Sequence, residues 1–227
     1  MRILALETVA AAGSVALLDD DRVVEELELV TARRSAQTLA PGIAALLERA
    51  GWRPADVELV AVASGPGSFT GLRIGITTAK AFAYAMNCQV IGVNSLLAIA
   101  ARAPRDLSAV SATIDAQRGE LFVADFTRQP DGQLTGIDTT RIVAAEKWLA
   151  SLPTGAVISG PGLANHLAAL PPGTMVVDRA LWAPTAAIVG QLGRELVLAG
   201  QGVSPFELVP QYFRRTAAEE KWDANRA

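Results

Sequence analysis

The chain has 227 residues but only one cysteine and one histidine. A lone Cys88 excludes an internal disulfide and suits a reducing compartment. It lies in the apolar run "AMNCQVIGV" and reads as a buried, inert thiol. A lone His166 excludes a paired-histidine metal site. It also leaves a Ser-His-Asp arrangement with one candidate base, placed after "GPGLAN", where an ordinary surface or capping histidine is the simpler reading. Basic surplus is missing as well: the net charge is −3 and the pI about 5.3. Phosphate contacts dominate affinity for nucleic acids, so a role on RNA requires a partner. Charged residues make up only 19% against 51% hydrophobic, which excludes a disordered chain. The N-terminal run "MRILALE" meets an acid at Glu7, too early for a signal peptide or a membrane span. Together these point to a cytoplasmic protein with no membrane partner.

What is present is an alternation of strand and helix patterns. Strands are expected at 2–7, 13–18 and 23–30, the last half-exposed because apolar and acidic residues alternate. The acids at 19–21 read as a solvated hairpin turn. A helix follows over 35–51, with Leu39, Ile43, Leu46 and Leu47 at helical spacing and Gly51 as its stop. The run "VELVAVAS" (57–64) reads as a strand buried on both faces. A helix near 70–86, a strand at 89–93 and a helix at 95–103 complete a first half. The second half repeats the order: strands at 109–115, 119–128 and 136–143, a helix at 144–151, a strand into a second "SGPG", a helical pattern, a strand at 174–178 and a helix at 184–200.

The two "SGPG" copies, at 64–67 and 159–162, each follow an apolar strand. Each lies downstream of a strand that ends in an acid, Glu7 or Asp115. This is read as a duplication. Two similar α/β lobes facing each other would bring Glu7 and Asp115 to the mouth of one cleft, the layout of actin-like phosphotransferases.

The stretch "SGPGSFTGLRIG" (64–75) matches neither the P-loop nor the dinucleotide glycine pattern. It lacks a nucleophile elbow too. Gly65 and Gly67 suit a tight strand-to-helix turn, and Ser68 or Thr70 a helix cap. On the helix that follows, Arg73 and Lys80 are the only charges, seven apart, with Thr77 and Tyr84 extending their stripe. So narrow a polar stripe predicts a helix that is deeply buried or packs on a second surface.

The runs "RILALETVAAAGSVALLDDDRVVEE", "VASGPGSFTGLRIGITTAKAFAYAMNCQVIGVNSL", "TIDAQRGELFVADF" and "PQYFRR" resemble the TsaB (YeaZ) family. The resemblance implies an α/β fold of two RNase H-like lobes of the actin/Hsp70/sugar-kinase (ASKHA) type, here 1–104 and 105–205. A C-terminal tail, 206–227, would pack back on the first lobe. It further implies a non-catalytic scaffold in the transfer of a threonylcarbamoyl group to N6 of the adenosine next to the anticodon of tRNAs that read A-starting codons. The implied partners are TsaD, which carries the transferase site and its metal, the ATPase TsaE, tRNA through the complex, and a second copy when the chain is alone. TsaC supplies the activated threonylcarbamoyl group. No peptidase activity is implied. The implied partner interface is Leu39, Ile43, Leu72, Arg73, Ile76, Thr77 and Lys80. A vestigial nucleotide site would use Glu7, Thr8, Gly65, Gly67, Ser68 and Asp115, with no metal, no catalytic residue and no resident cofactor; weak ATP or ADP binding within the complex stays open. Members usually end the first strand in Asp-Thr-Ser. Here Glu7-Thr8-Val9 stands instead, which weakens the case for a magnesium–nucleotide loop. A histidine often found near the first helix is replaced by "RRSAQ". The competing reading is an actin-like nucleotide-binding phosphotransferase or ATPase that uses Glu7 and Asp115.

Overall fold

A computed structural model describes residues 1–29 and 35–214. Val30, at the end of the expected third strand, and the tail from 215 lie outside the described residues.

The first sheet is built from β1 (Arg2–Glu7), β2 (Ser14–Asp19), β3 (Arg22–Glu28), β4 (Leu59–Gly65) and β5 (Gln89–Asn94), in the order β3-β2-β1-β4-β5. β1 and β2 form an antiparallel hairpin, and β4 lies parallel to both β1 and β5. Every residue of β4 is buried, as its unbroken apolar run requires for a strand covered on both faces. α1 (Ser35–Ala50) and α2 (Phe69–Met86) cover one face, sharing a core with Leu4, Leu6, Val60 and Val62. Beyond α1, Gly51 takes φ +66, and the Trp52 N–H donates to the Leu47 carbonyl. That is a glycine-type helix stop.

The second sheet repeats the pattern with β6 (Ala109–Gln117), β7 (Glu120–Arg128), β8 (Leu134–Thr135), β9 (Arg141–Ala144), β10 (Val157–Ser159) and β11 (Met175–Val176). Its order is β11-β10-β6-β7-β8, with β9 also on β7. As in the first sheet, a hairpin leads, a third strand pairs with its second arm, and a later strand returns parallel to its first arm. This is the expected two-lobe α/β architecture of the ASKHA type.

The lobes exchange helices. α3 (Ser95–Ala101) follows the first half in sequence, yet Leu96, Ile99 and Ala100 pack on the second sheet with Val110, Ala112 and Phe126. α5 (Ala186–Leu198) ends the second half, yet Ala186, Ala187 and Val189 pack under Ile3, Ala5 and Ala61 of the first sheet. The packing therefore crosses the sequence division at 104/105. Leu192 of α5 joins both clusters, so α3 and α5 form a shared spine.

Two expected elements differ. The helix after the second "SGPG" is instead a pair of 3₁₀ turns, Pro161–Leu163 and Leu167–Ala169. Pro171 and Pro172 close the segment too soon for a stable α-helix. The expected strand at 136–143 begins as a 3₁₀ turn, Ile137–Thr139, because Gly136 sits at φ +117 with its Cα against the Asp125 carbonyl. Only Arg141–Ala144 pairs with β7 there. The short α4 (Ala145–Ala150) completes the lobe. Among the described residues, no helix is long and apolar enough to cross a membrane.

Candidate functional site: the interlobe cleft and the α2 face

A cleft of about 720 Å³ opens between the lobes. The glycine turn and the start of α2 line one side, through Pro66, Ser68 and Phe69. The β6–β7 hairpin lines the other, through Asp115, Gln117 and Arg118.

Asp115 reaches the cleft; Glu7 does not. Glu7 is fully buried at the end of β1, and its Oε1 accepts from the N–H groups of Val9 (2.6 Å) and Ala10 (3.0 Å). Among the described residues, Oε2 is buried with no hydrogen-bond partner. Burial pushes the Glu7 pKa up to about 7; the two backbone donors oppose the rise and the charge of Glu26 adds to it. Asp115 is exposed, and its carboxylate is taken up by its own hairpin: it accepts from the Gln117 N–H at 2.7 Å and from Gln117 Nε2 at 3.3 Å. The expected pairing of the two acids at one mouth is therefore not formed, because the strand-end glutamate folds back onto its own loop.

The rest of the turn is closed by protein. Thr8 Oγ1 donates to the Gly71 carbonyl at 2.7 Å. Ser68 caps α2, its hydroxyl accepting from the Gly71 N–H at 3.2 Å. Gly67 packs on Val9. Gly65 sits at φ +120, and a Cβ there would lie 2.6 Å from the carbonyl oxygen of Gln211. The backbone of the C-terminal segment thus stands against the glycine turn. Among the described residues, no group of three or more His, Cys, Asp or Glu side chains could hold a metal. A metal–nucleotide does not fit this donor set: one acid is turned away, the other is bound within its hairpin, and the turn is in contact with Gln211.

The expected partner residues divide by burial. Leu39, Ile43, Leu72 and Ile76 all point into the core, Ile76 being 3% exposed. They belong to the helix faces that cover the first sheet, so their side chains supply no docking surface. This corrects their place in the expected interface. Arg73 and Thr77 are exposed and Lys80 is half-buried. Even these cations serve the chain itself: Arg73 Nε donates to the Tyr212 hydroxyl at 3.3 Å, and Lys80 Nζ to the Leu208 carbonyl at 3.0 Å. Among the side chains the two helices leave exposed are small ones at helical spacing, Ala40, Pro41 and Ala44 on α1 and Thr77, Ala81 and Ala85 on α2, together with Tyr84 at 67% exposure.

The segment around Leu208 and Tyr212 belongs to the tail expected to pack back on the first lobe, but was not among the expected site residues. Besides the run "PQYFRR", composition carried a signal for it. Of four Trp, two Tyr and six Phe in the chain, Phe206, Tyr212 and Phe213 fall within one short run after the last helix.

A family model described as "TsaD: tRNA N6-adenosine threonylcarbamoyltransferase" matches residues 29–164. The tRNA threonylcarbamoyladenosine biosynthesis protein TsaB of Escherichia coli is 38% identical over 148 residues, which is 64% of this chain and 64% of that protein. The Bacillus subtilis protein of the same name is 28% identical over 228 residues, covering 98% of both. Among solved structures, YeaZ from Pseudomonas aeruginosa superposes with a TM-score of 0.82 at 29% identity, covering 93% of this chain and 99% of that one. The duplicated lobes, the glycine turn and similarity along the whole chain agree: the chain belongs to the TsaB (YeaZ) family.

Proposed function

We propose that the chain is an accessory subunit, without chemistry of its own, in the transfer of a threonylcarbamoyl group to N6 of the adenosine beside the anticodon of tRNAs reading A-starting codons. It works in the cytoplasm with a TsaD-type transferase, and with TsaE and tRNA through that complex. Alone it self-associates. The names of its E. coli and B. subtilis relatives support the pathway. The observation that carries the accessory role is the orientation of Glu7. In an ASKHA-type cleft the acid ending the first strand would face the ligand; here it is buried beneath its own loop and bonded to Val9 and Ala10. The open α1–α2 face is the surface that the transferase covers. Its small side chains allow the close helix approach that a helix-to-helix interface needs.

The test is reconstitution with the cognate transferase, activated threonylcarbamoyl donor and unmodified tRNA, measuring modified adenosine by mass spectrometry. The chain alone gives none, and adding it to the transferase raises the yield. Modification by the chain alone, or a transferase indifferent to its presence, would overturn the reading.

A further inference from the structure

The segment after α5 crosses the molecule from one lobe to the other. It starts on β5, the open edge of the first sheet, where Val203 pairs with Val90 and its N–H donates to the Val90 carbonyl at 3.2 Å. Leu208 is 5% exposed and enters the core beside Val90. It occupies the space that a side chain on Gly92 would take, since a Cβ there would lie 3.0 Å from Leu208 Cδ1. The Gln211 N–H then donates to the Ser64 carbonyl at 2.8 Å, at the end of β4. Tyr212 stacks on Phe69, with ring centroids 5.0 Å apart. The next two residues belong to the other lobe. The Phe213 ring lies 6.3 Å from that of Phe122 on β7. Arg214 Nη1 donates to the Ala116 carbonyl at 2.6 Å, and Nη2 pairs with Glu120.

These anchors differ in kind from the α3–α5 spine. The spine joins the lobes through apolar α3 and α5 side chains packed in their cores, and none of these side chains lines the cleft. Tyr212, Phe213 and Arg214 line the cleft itself, on the side where the lobes face each other across open space. Between its anchors the segment carries exposed side chains, Phe206 at 75% and Val209 at 63%. An element held at separate points with little buried between them is released at low cost compared with a core strand.

We propose that Val203–Arg214 is a clasp that sets the opening of the interlobe cleft, its first part locked on the first lobe and Phe213 and Arg214 gripping the β6–β7 hairpin of the second. The clasp also holds the Arg73 and Lys80 side chains of α2, so cleft opening and the outer surface of α2 are linked through it. This inference does not depend on the proposed pathway.

The test uses the full chain with Cys88→Ser, carrying spin labels at exposed Ala81 on α2 and Glu146 on α4. Pulsed electron resonance reads the interlobe distance, and hydrogen exchange reads the Gln211 amide. Phe213→Ala with Arg214→Ala is expected to broaden the interlobe distribution and to speed exchange at Gln211 by about tenfold or more. Arg214→Lys, which keeps a cation for Glu120, retains most of the narrow distribution. Glu120→Gln alters the grip from the hairpin side with the clasp sequence intact, and gives intermediate broadening. Faster exchange at Gln211 with an unchanged interlobe distribution would overturn the proposal, as would no change in either.

Discussion

The hydroxyl of Thr8 and the carbonyl of Gly71 meet across 63 residues, in a buried bond of 2.7 Å. It pins the loop after β1 to the first turn of α2, and the fit leaves no room for a side chain. A Cβ on Gly71 would collide with the Thr8 carbonyl oxygen. Backbone cannot move aside as a flexible side chain can. Gly71→Ala should therefore destabilise by roughly 3 kcal/mol, the upper range for overpacking. Thr8→Val keeps the shape and loses one hydrogen bond, costing about 1 kcal/mol. Urea denaturation of both variants checks the order; equal costs would mean that the loop, and not the contact, governs stability here.

Glu7 should make stability depend on pH in a direction opposite to most carboxylates. Its folded pKa is raised by burial to about 7, from an ordinary value of 4.5. The folded state therefore holds the proton more tightly than the unfolded state. The stabilisation is fully present below about pH 4.5 and is lost as the pH rises through about 7. Asp56, whose pKa Arg53 holds down at about 2, acts with the opposite sign at acid pH. Comparing wild type with Glu7→Gln cancels that shared contribution. The stability difference between the two should shift by on the order of 3 kcal/mol between pH 4 and pH 8, in favour of the glutamine variant at the higher pH. Parallel profiles would show that Glu7 is not buried as a neutral acid.

Calorimetric titration of the isolated chain with ATP–Mg²⁺ should give only heats of dilution. Glu7 is turned from the cleft, Asp115 is held by Gln117, and the Gly65 turn rests on Gln211. Tight binding that Glu7→Ala abolishes would restore the phosphotransferase reading.

The buried strands and the duplication were legible because both rest on local pattern. The unbroken apolar run of β4 and the alternation in β3 each specify their exposure within a few residues. The helix after the second "SGPG" was misread because its apolar residues have helical spacing, while Pro171 and Pro172 deny it length. The direction of Glu7 was beyond any pattern. A strand-end acid can face a cleft or its own loop, and the choice is made by the Val9 and Ala10 N–H groups. The narrow stripe of Arg73, Lys80 and Tyr84 was legible only as the mark of a helix that is deeply buried or packs on a second surface. That its cover includes the chain's own residues 206–212 depends on contacts more than a hundred positions apart.

Burial divides the variants that test the partner face. Ala81 is exposed on α2, whereas Ile76, five residues earlier, faces β4. Ala81→Glu puts a charge where the transferase helix would approach, and should weaken co-purification with the cognate transferase at least about tenfold with an unchanged melting temperature. Ile76→Glu puts the same charge into the first core without a partner, and should destabilise the monomer by several kcal/mol, on the order of 3 to 5. Its loss of association would follow from unfolding and would say nothing about the surface. If Ala81→Glu leaves co-purification intact, the partner does not sit on the outer face of α2.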